Sequence, residues 1–189
     1  MRIPLLLSVV LASSLAFAQA QPARKPPNQT PDVIFVPTPQ EVVDEMLRLA
    51  DVKKGDVLYD LGSGDGRIPV TAAKKFGVRA VGIEYDPAMA KRAQCLVQVE
   101  GVADRVRIIE GDIFKENFGG PGVVTLYLLP QLNLCVRHRL LALEPGTRIV
   151  SHQFEMGKWK PEKVVEVNGR SIYFWTVPAR PEKKAKGTK

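Results

Sequence analysis

The sequence predicts an α/β fold: a mostly parallel sheet with helices on both faces and an antiparallel hairpin at its C-terminal end. Three observations carry this. Short apolar runs alternate with helical periods between residues 57 and 153, and such alternation builds parallel βαβ units. A glycine-rich turn, Gly62-Ser63-Gly64-Asp65-Gly66, separates the first run from the helix after it, the context a nucleotide-binding loop requires. Near the end, Asn168-Gly169 divides two further runs; that pair suits a two-residue hairpin because both central residues must take positive φ.

The elements follow in order. Thr38-Pro39-Gln40-Glu41 combines an N-cap, a proline at the first helical position and a capping-box glutamate. Val42, Val43, Met46, Leu47 and Ala50 then recur at helical spacing. Residues 57–60 form a short apolar strand, residues 67–76 a helix closed by Gly77, and residues 79–84 a second strand. Asp86-Pro87 caps a helix running to about Glu100. Residues 106–110 and 123–129 are the third and fourth strands, the latter apolar on both faces as a buried parallel strand is. A helix over 132–143 stops at Pro145-Gly146, a fifth strand covers 147–153, and runs 164–167 and 171–177 flank the hairpin turn.

The ends differ in character. Met1-Arg2, an apolar run to Phe17 and the small residues Ala16–Ala20 have the form of a secretory signal cleaved after Ala20 or Ala18. The run is short for a bilayer span, which takes ~20 apolar residues; an uncleaved membrane anchor is the other reading. The sequence thus places the protein either exported to the periplasm or membrane-anchored, with a cytosol-facing fold as a third arrangement. Residues 21–31 are a proline-rich linker, 32–179 the folded domain, and 180–189 a basic tail. The net charge of +7 resides in these ends, leaving 32–179 formally neutral. Nucleic-acid attraction needs a basic face on the fold itself, so no nucleic-acid partner is expected. Cys95 and Cys135 match no zinc spacing and fall on helices expected to cover opposite sheet faces, which excludes a disulfide. Two histidines, His138 and His152, are too few for a metal cluster.

The candidate ligand site gathers at three strand tips. Asp60-Leu61-Gly62-Ser63-Gly64-Asp65-Gly66-Arg67 places its third glycine one residue earlier than a dinucleotide-binding loop does, with arginine following. It also sets a carboxylate just before the first glycine. A ligand with an ammonium and a carboxylate suits this carboxylate and open backbone amides better than a pyrophosphate. Glu84, 22 residues past Gly62, ends the second strand where a carboxylate accepts from both hydroxyls of a ribose. Asp112, after the third strand, is placed to accept from an adenine amino group, with Ile113 packed on the ring.

Asp60–Gly66, Glu84 and Asp112-Ile113 resemble the first three motifs of class I S-adenosylmethionine-dependent methyltransferases. The stretches Val36-Pro37-Thr38-Pro39, Asp60–Ile68, Leu126–Asn133 and Pro145–His152 are similar, more narrowly, to the protein-lysine methyltransferases that act on the ATP synthase c-subunit and the adenine nucleotide translocase, and to their bacterial homologues. The resemblance implies a Rossmann-like class I methyltransferase sheet, S-adenosyl-L-methionine as cofactor, and a protein lysine as acceptor. It also implies that the segment holding Thr38 lies over the cofactor, although the residues alone make Thr38 an N-cap. Cofactor-binding candidates are therefore Thr38, Asp60, Gly62, Ser63, Gly64, Gly66, Glu84, Asp112 and Ile113.

Methyl transfer is an in-line displacement by a neutral nucleophile, so the protein chiefly positions the partners and excludes water. In this fold the end of the fourth strand faces the methyl group, which makes Tyr127, Leu128, Leu129 and Pro130 the acceptor-facing candidates, through backbone carbonyls more than side chains. The Asn-Pro-Pro-Tyr tetrapeptide of many amine methyltransferases is absent there. Gln131 and Asn133 either supply amide oxygens or cap the following helix. His152, ending the fifth strand, either acts near the acceptor or is a structural hydrogen-bonding residue. A small-molecule or other protein-group methyltransferase, and a non-catalytic cofactor-binding module, stand as alternatives to the lysine reading.

Overall fold

The computed structural model describes residues 35–180; the expected leader, the whole linker over 21–31 and the tail beyond Arg180 lie outside them. The helix α1 (Gln40–Leu49) buries Val42, Val43, Met46 and Leu47 completely. It begins one residue later than expected. Pro39 occupies the N-cap with no side-chain cap bond, and its carbonyl accepts from Val42 and Val43. Thr38 does not cap the helix, because its hydroxyl is bonded elsewhere.

Two βα repeats and a third strand follow: β1 (Val57–Leu61), α2 (Arg67–Phe76), β2 (Arg79–Glu84), α3 (Pro87–Val99) and β3 (Val106–Glu110). Gly77 closes α2 at φ 66°, a left-handed position that glycine takes without a Cβ clash. Asp86 caps α3, its carboxylate accepting from the amides of Ala88 and Met89. After a loop without helix come β4 (Val123–Leu126), α4 (Pro130–Leu141), β5 (Arg148–His152), β6 (Lys163–Val167) and β7 (Arg170–Thr176). The β6–β7 turn is made by Asn168 and Gly169 at φ 50° and 74°, as a primed two-residue turn demands.

The strand β4 is shorter than expected and α4 starts two residues earlier. Leu126 is the last residue of β4 paired to both neighbours, with Leu61 on β1 and Ser151 on β5. Leu129 must be extended before Pro130 (φ −60°, ψ 153°), and Pro130 opens the helix. Residues 127–129 therefore leave the sheet as a short apolar bridge.

The sheet order is β3-β2-β1-β4-β5-β7-β6, parallel except for β7, which runs antiparallel to β5 and β6. Helices α1, α2 and α3 pack on one face, with Met46, Ala72 and Ala93 in a core shared with Leu58 and Val123. Helix α4 packs on the other, where Val136 and Leu140 meet Leu126, Ile149 and Trp175. Cys95 on α3 and Cys135 on α4 thus sit on opposite faces, both exposed and free. Chain order reverses between β1 and β4, which opens a crevice at their carboxyl ends. Among the described residues, no helix is long and apolar enough to cross a membrane.

Candidate functional site

A cavity of about 250 Å³ lies at that crevice. Its floor is the glycine turn, where Gly62, Gly64 and Gly66 have φ of 73°, 55° and 82°. Three of the turn's amides are not open, contrary to the sequence expectation. Those of Gly62 and Ser63 both donate to the Ile83 carbonyl at 2.9 Å, and that of Gly64 donates to Glu84 Oε2 at 2.7 Å. These bonds fasten the turn to β2. Bareness matters most at Gly64, where a Cβ would stand 2.3 Å from the Phe35 ring. Gly66 is outside the cavity lining; it faces Ala93 and lets α2 and α3 approach.

The remaining cofactor candidates converge: Thr38, Asp60, Gly62, Ser63, Gly64, Glu84, Asp112 and Ile113 all line the cavity. Asp60 is 2 % exposed, and its Oδ1 accepts from the Thr125 hydroxyl at 2.7 Å. Burial pushes this carboxyl up to about 7, against the pull of that hydrogen bond, with the negative charges of Glu84 and Asp65 adding to the rise. Glu84 spans two amides, Gly64 through Oε2 and Asp86 through Oε1 at 2.8 Å. Each carboxylate oxygen has a second acceptor direction, so a vicinal diol is still within its capacity. Asp112 Oδ1 accepts from the Phe114 amide at 2.9 Å, and Lys115 Nζ lies 3.1 Å from Oδ2. The loop carrying Asp112 and Ile113 is held from α4, where the Arg139 guanidinium donates to the carbonyls of Ile113 and Glu116.

The acceptor-side candidates separate. Tyr127 and Leu128 line the cavity, whereas Leu129 and Pro130 are exposed beyond it. Leu128 rests against the bare Gly62, where a Cβ would come 2.7 Å from its Cδ2. Gln131 is exposed, and Asn133 is buried with Nδ2 donating to Ser151 Oγ and the Phe154 carbonyl. Neither caps α4. His138 is on the surface, bonded to the Cys135 carbonyl. His152 is fully buried, its Nδ1 3.2 Å from Thr38 Oγ1 and its ring 3.9 Å from that of Tyr127.

Sequence reasoning missed Phe35, Tyr85 and Asp86 in the wall, whereas Val36 belongs to the segment that the resemblance lays over the cofactor. Phe35 and Val36 cover the glycine turn from the N-terminal side, and Arg67 fixes this strap by donating Nη1 to the Thr38 carbonyl at 2.9 Å. Arg67 is also paired with Asp65 at 2.7 Å. Burial works to raise the Asp65 carboxyl, but the hydrogen bond and charge of Arg67 outweigh it and hold it below its ordinary value. Tyr85 and Asp86 complete the β2 side. The position directly after Glu84 was the available signal for Tyr85; nothing local marked Phe35.

Among the described residues the lining carries five carboxylates (Asp60, Asp65, Glu84, Asp86 and Asp112) against a single guanidinium, Arg67, already paired. A pyrophosphate does not fit that balance. S-adenosylmethionine does, because it brings a sulfonium and an ammonium, a ribose diol and an apolar base edge. The buried Asp60 forms no ion pair among the described residues, and a ligand ammonium would supply its cation.

Comparison with known proteins gives the same picture. The family model of the ANTKMT methyltransferase domain matches residues 60–163. A protein-lysine N-methyltransferase of Saccharolobus islandicus is 40% identical over 153 residues, 78% of this chain and 95% of that one. The adenine nucleotide translocase lysine N-methyltransferase of Mus musculus is 33% identical over 147 residues, 77% of this chain and 63% of its own length. A solved structure described as an RNA methyltransferase from Salinibacter ruber in complex with S-adenosyl-L-homocysteine is 52% identical, with a TM-score of 0.75, over 78% of this chain and 97% of that one.

Proposed function

We propose that this chain, which belongs to the ANTKMT methyltransferase domain family of S-adenosylmethionine-dependent methyltransferases, transfers methyl groups to lysine side chains of a protein substrate. The observation that carries the reading is the acidic lining: five carboxylates beside one paired arginine attract a cationic amine and repel a phosphodiester. The lysine acceptor in the description of the Saccharolobus islandicus relative supports it.

In this reading Asp60 holds the donor ammonium, Glu84 the ribose hydroxyls and Asp112 the adenine amino group, with Ile113 against the base. S-adenosylmethionine supplies an electrophilic methyl on a positively charged sulfur. The chain's own residues bind, orient and exclude water. Tyr127, Leu128 and the strap Phe35–Thr38 close the cavity around the reacting centre. Asp112→Ala should weaken donor binding about tenfold through one lost hydrogen bond to a carboxylate. Asp112→Asn keeps an acceptor oxygen and should stay near wild type; calorimetry reads both.

RNA is the second reading, favoured by the description of the Salinibacter ruber protein as an RNA methyltransferase. Incubating the purified protein with methyl-labelled donor and separate protein and RNA fractions decides between them. Label expected in protein, on lysine by mass spectrometry and resistant to nuclease, supports the proposal. Label confined to RNA, or to small metabolites, sinks it.

A further inference from the structure

His152 is a buried titratable group that the donor pocket does not use. It is 0 % exposed, at the end of β5. Its Nδ1 meets Thr38 Oγ1 across a sequence separation of 114 residues, and its ring lies 3.9 Å from the Tyr127 ring at a tilt of 38°. Its Nε2 is buried with no hydrogen-bond partner among the described residues. Thr38 and Tyr127 both line the cavity, whereas His152 does not. One sits in the strap that covers the glycine turn, the other where β4 leaves the sheet toward the acceptor.

A phenylalanine would keep a ring against Tyr127 and leave no nitrogen stranded. What the imidazole adds is the bond to Thr38. The ring stays uncharged at neutral pH, since burial, reinforced by the charge of Arg170, pushes it down to about 4. It therefore gives the strap a fixed partner that does not change with ordinary shifts of pH. The Tyr127 ring also lies beside that of Phe154, with ring centroids 6.2 Å apart and planes 21° from parallel. Phe154 in turn is fixed through its carbonyl, which accepts from Ser151 Oγ and Asn133 Nδ2.

We propose that His152 is a positioning residue for methyl transfer: it locks the donor-covering strap through Thr38 and the acceptor end of β4 through Tyr127. The proposal rests on the methyltransferase reading of the cavity, and its two contacts can be separated by substitution. His152→Phe keeps the ring and removes the Nδ1 bond. His152→Asn keeps a polar atom near the Nδ1 position and removes the ring. Thr38→Val breaks the same bond from the strap side.

The test measures donor affinity by calorimetry, and kcat and KM on the labelled protein acceptor. His152→Phe and Thr38→Val should each weaken S-adenosylmethionine binding about fivefold to tenfold, the range of one lost hydrogen bond. The double variant should be no weaker than either single one, since both remove the same contact. His152→Asn should bind donor within about twofold of wild type yet lose about tenfold in kcat, as Tyr127 loses its neighbour. Unchanged donor affinity in both His152→Phe and Thr38→Val overturns the proposal, whether or not an acceptor lysine is known. So does a variant set in which melting temperature falls while affinity, kcat and KM all hold. If His152→Asn does not fold, Thr38→Val alone decides the donor half. Failure of the lysine reading would appear separately, as no transfer to lysine by wild type.

Discussion

Glu84→Ala is expected to weaken S-adenosylmethionine binding about a hundredfold and to loosen the glycine turn as well. Two carboxylate hydrogen bonds to the ribose, at about 1.5 kcal/mol each as the low end for charged partners, sum to roughly that factor. The same side chain already accepts from the amides of Gly64 at 2.7 Å and Asp86 at 2.8 Å. Removing it frees the turn from β2 and loosens the entry to α3, an added loss of about 1–3 kcal/mol in folding stability. The two effects are separable. Chemical denaturation without donor reads the turn, calorimetry reads the ribose, and Glu84→Gln keeps one carbonyl oxygen for an amide or a hydroxyl. The glutamine variant should recover most of the stability and lose only about tenfold in affinity. If Glu84→Ala unfolds more easily but binds donor as wild type does, the carboxylate serves the turn alone and the nucleoside lies elsewhere.

The part of this site legible in the sequence is the part made by punctuation at strand ends. Gly62, Gly64, Glu84 and Asp112 each end or follow a strand whose apolar period gives its end within a residue or two, and the parallel order of β1, β2 and β3 brings those ends together. Local pattern failed where a distant partner intervened. Thr38 has the form of a cap, yet its hydroxyl belongs to His152, and no local signal reports a bond across 114 residues. The loop amides were expected to be open, but the Ile83 carbonyl and the Glu84 carboxylate occupy those of Gly62, Ser63 and Gly64. Apolar composition misled once: residues 127–129 are as hydrophobic as β4 itself, and only Pro130 marks that the chain has turned into a helix. Weighting the proline, which restricts the residue before it and suits a first helical position, would have placed that boundary. Phe35 carried no local signal, because its role depends on what it covers.

The pH dependence of donor binding should be bell-shaped, and Asp60→Asn should remove its acid limb. In the free protein the Asp60 carboxyl titrates at about 7 instead of 3.8, because burial opposes its charge. A ligand ammonium beside it favours the ionised form, so binding below pH 7 must first expel a proton and weakens as the pH falls. The donor's own α-amino group loses its charge near ~7.7–8.0, which weakens binding on the alkaline side. Together these place the optimum near pH ~7.4, with affinity about fivefold lower at pH 6. Stability has its own sign. A carboxyl whose folded pKa lies above its unfolded one contributes most below pH 3.8, and that contribution is lost as the pH rises to about 7. The wild-type protein therefore carries a buried, ionised acid above pH 7, a penalty of up to about 4 kcal/mol for a shift of this size. Asp60→Asn keeps an oxygen for the Thr125 hydroxyl and carries no charge to desolvate. It should melt at a higher temperature than wild type at pH 8 and lose that advantage at pH 4. It should also bind donor more weakly where Asp60 is ionised and approach wild type as the pH falls, with only the alkaline limb remaining. A variant that binds as tightly as wild type, or keeps the acid limb, would mean that another group meets the ammonium. A donor-free variant less stable than wild type at pH 8 would mean instead that the buried carboxylate is already compensated, and the cavity's demand for a cation would lose its physical basis.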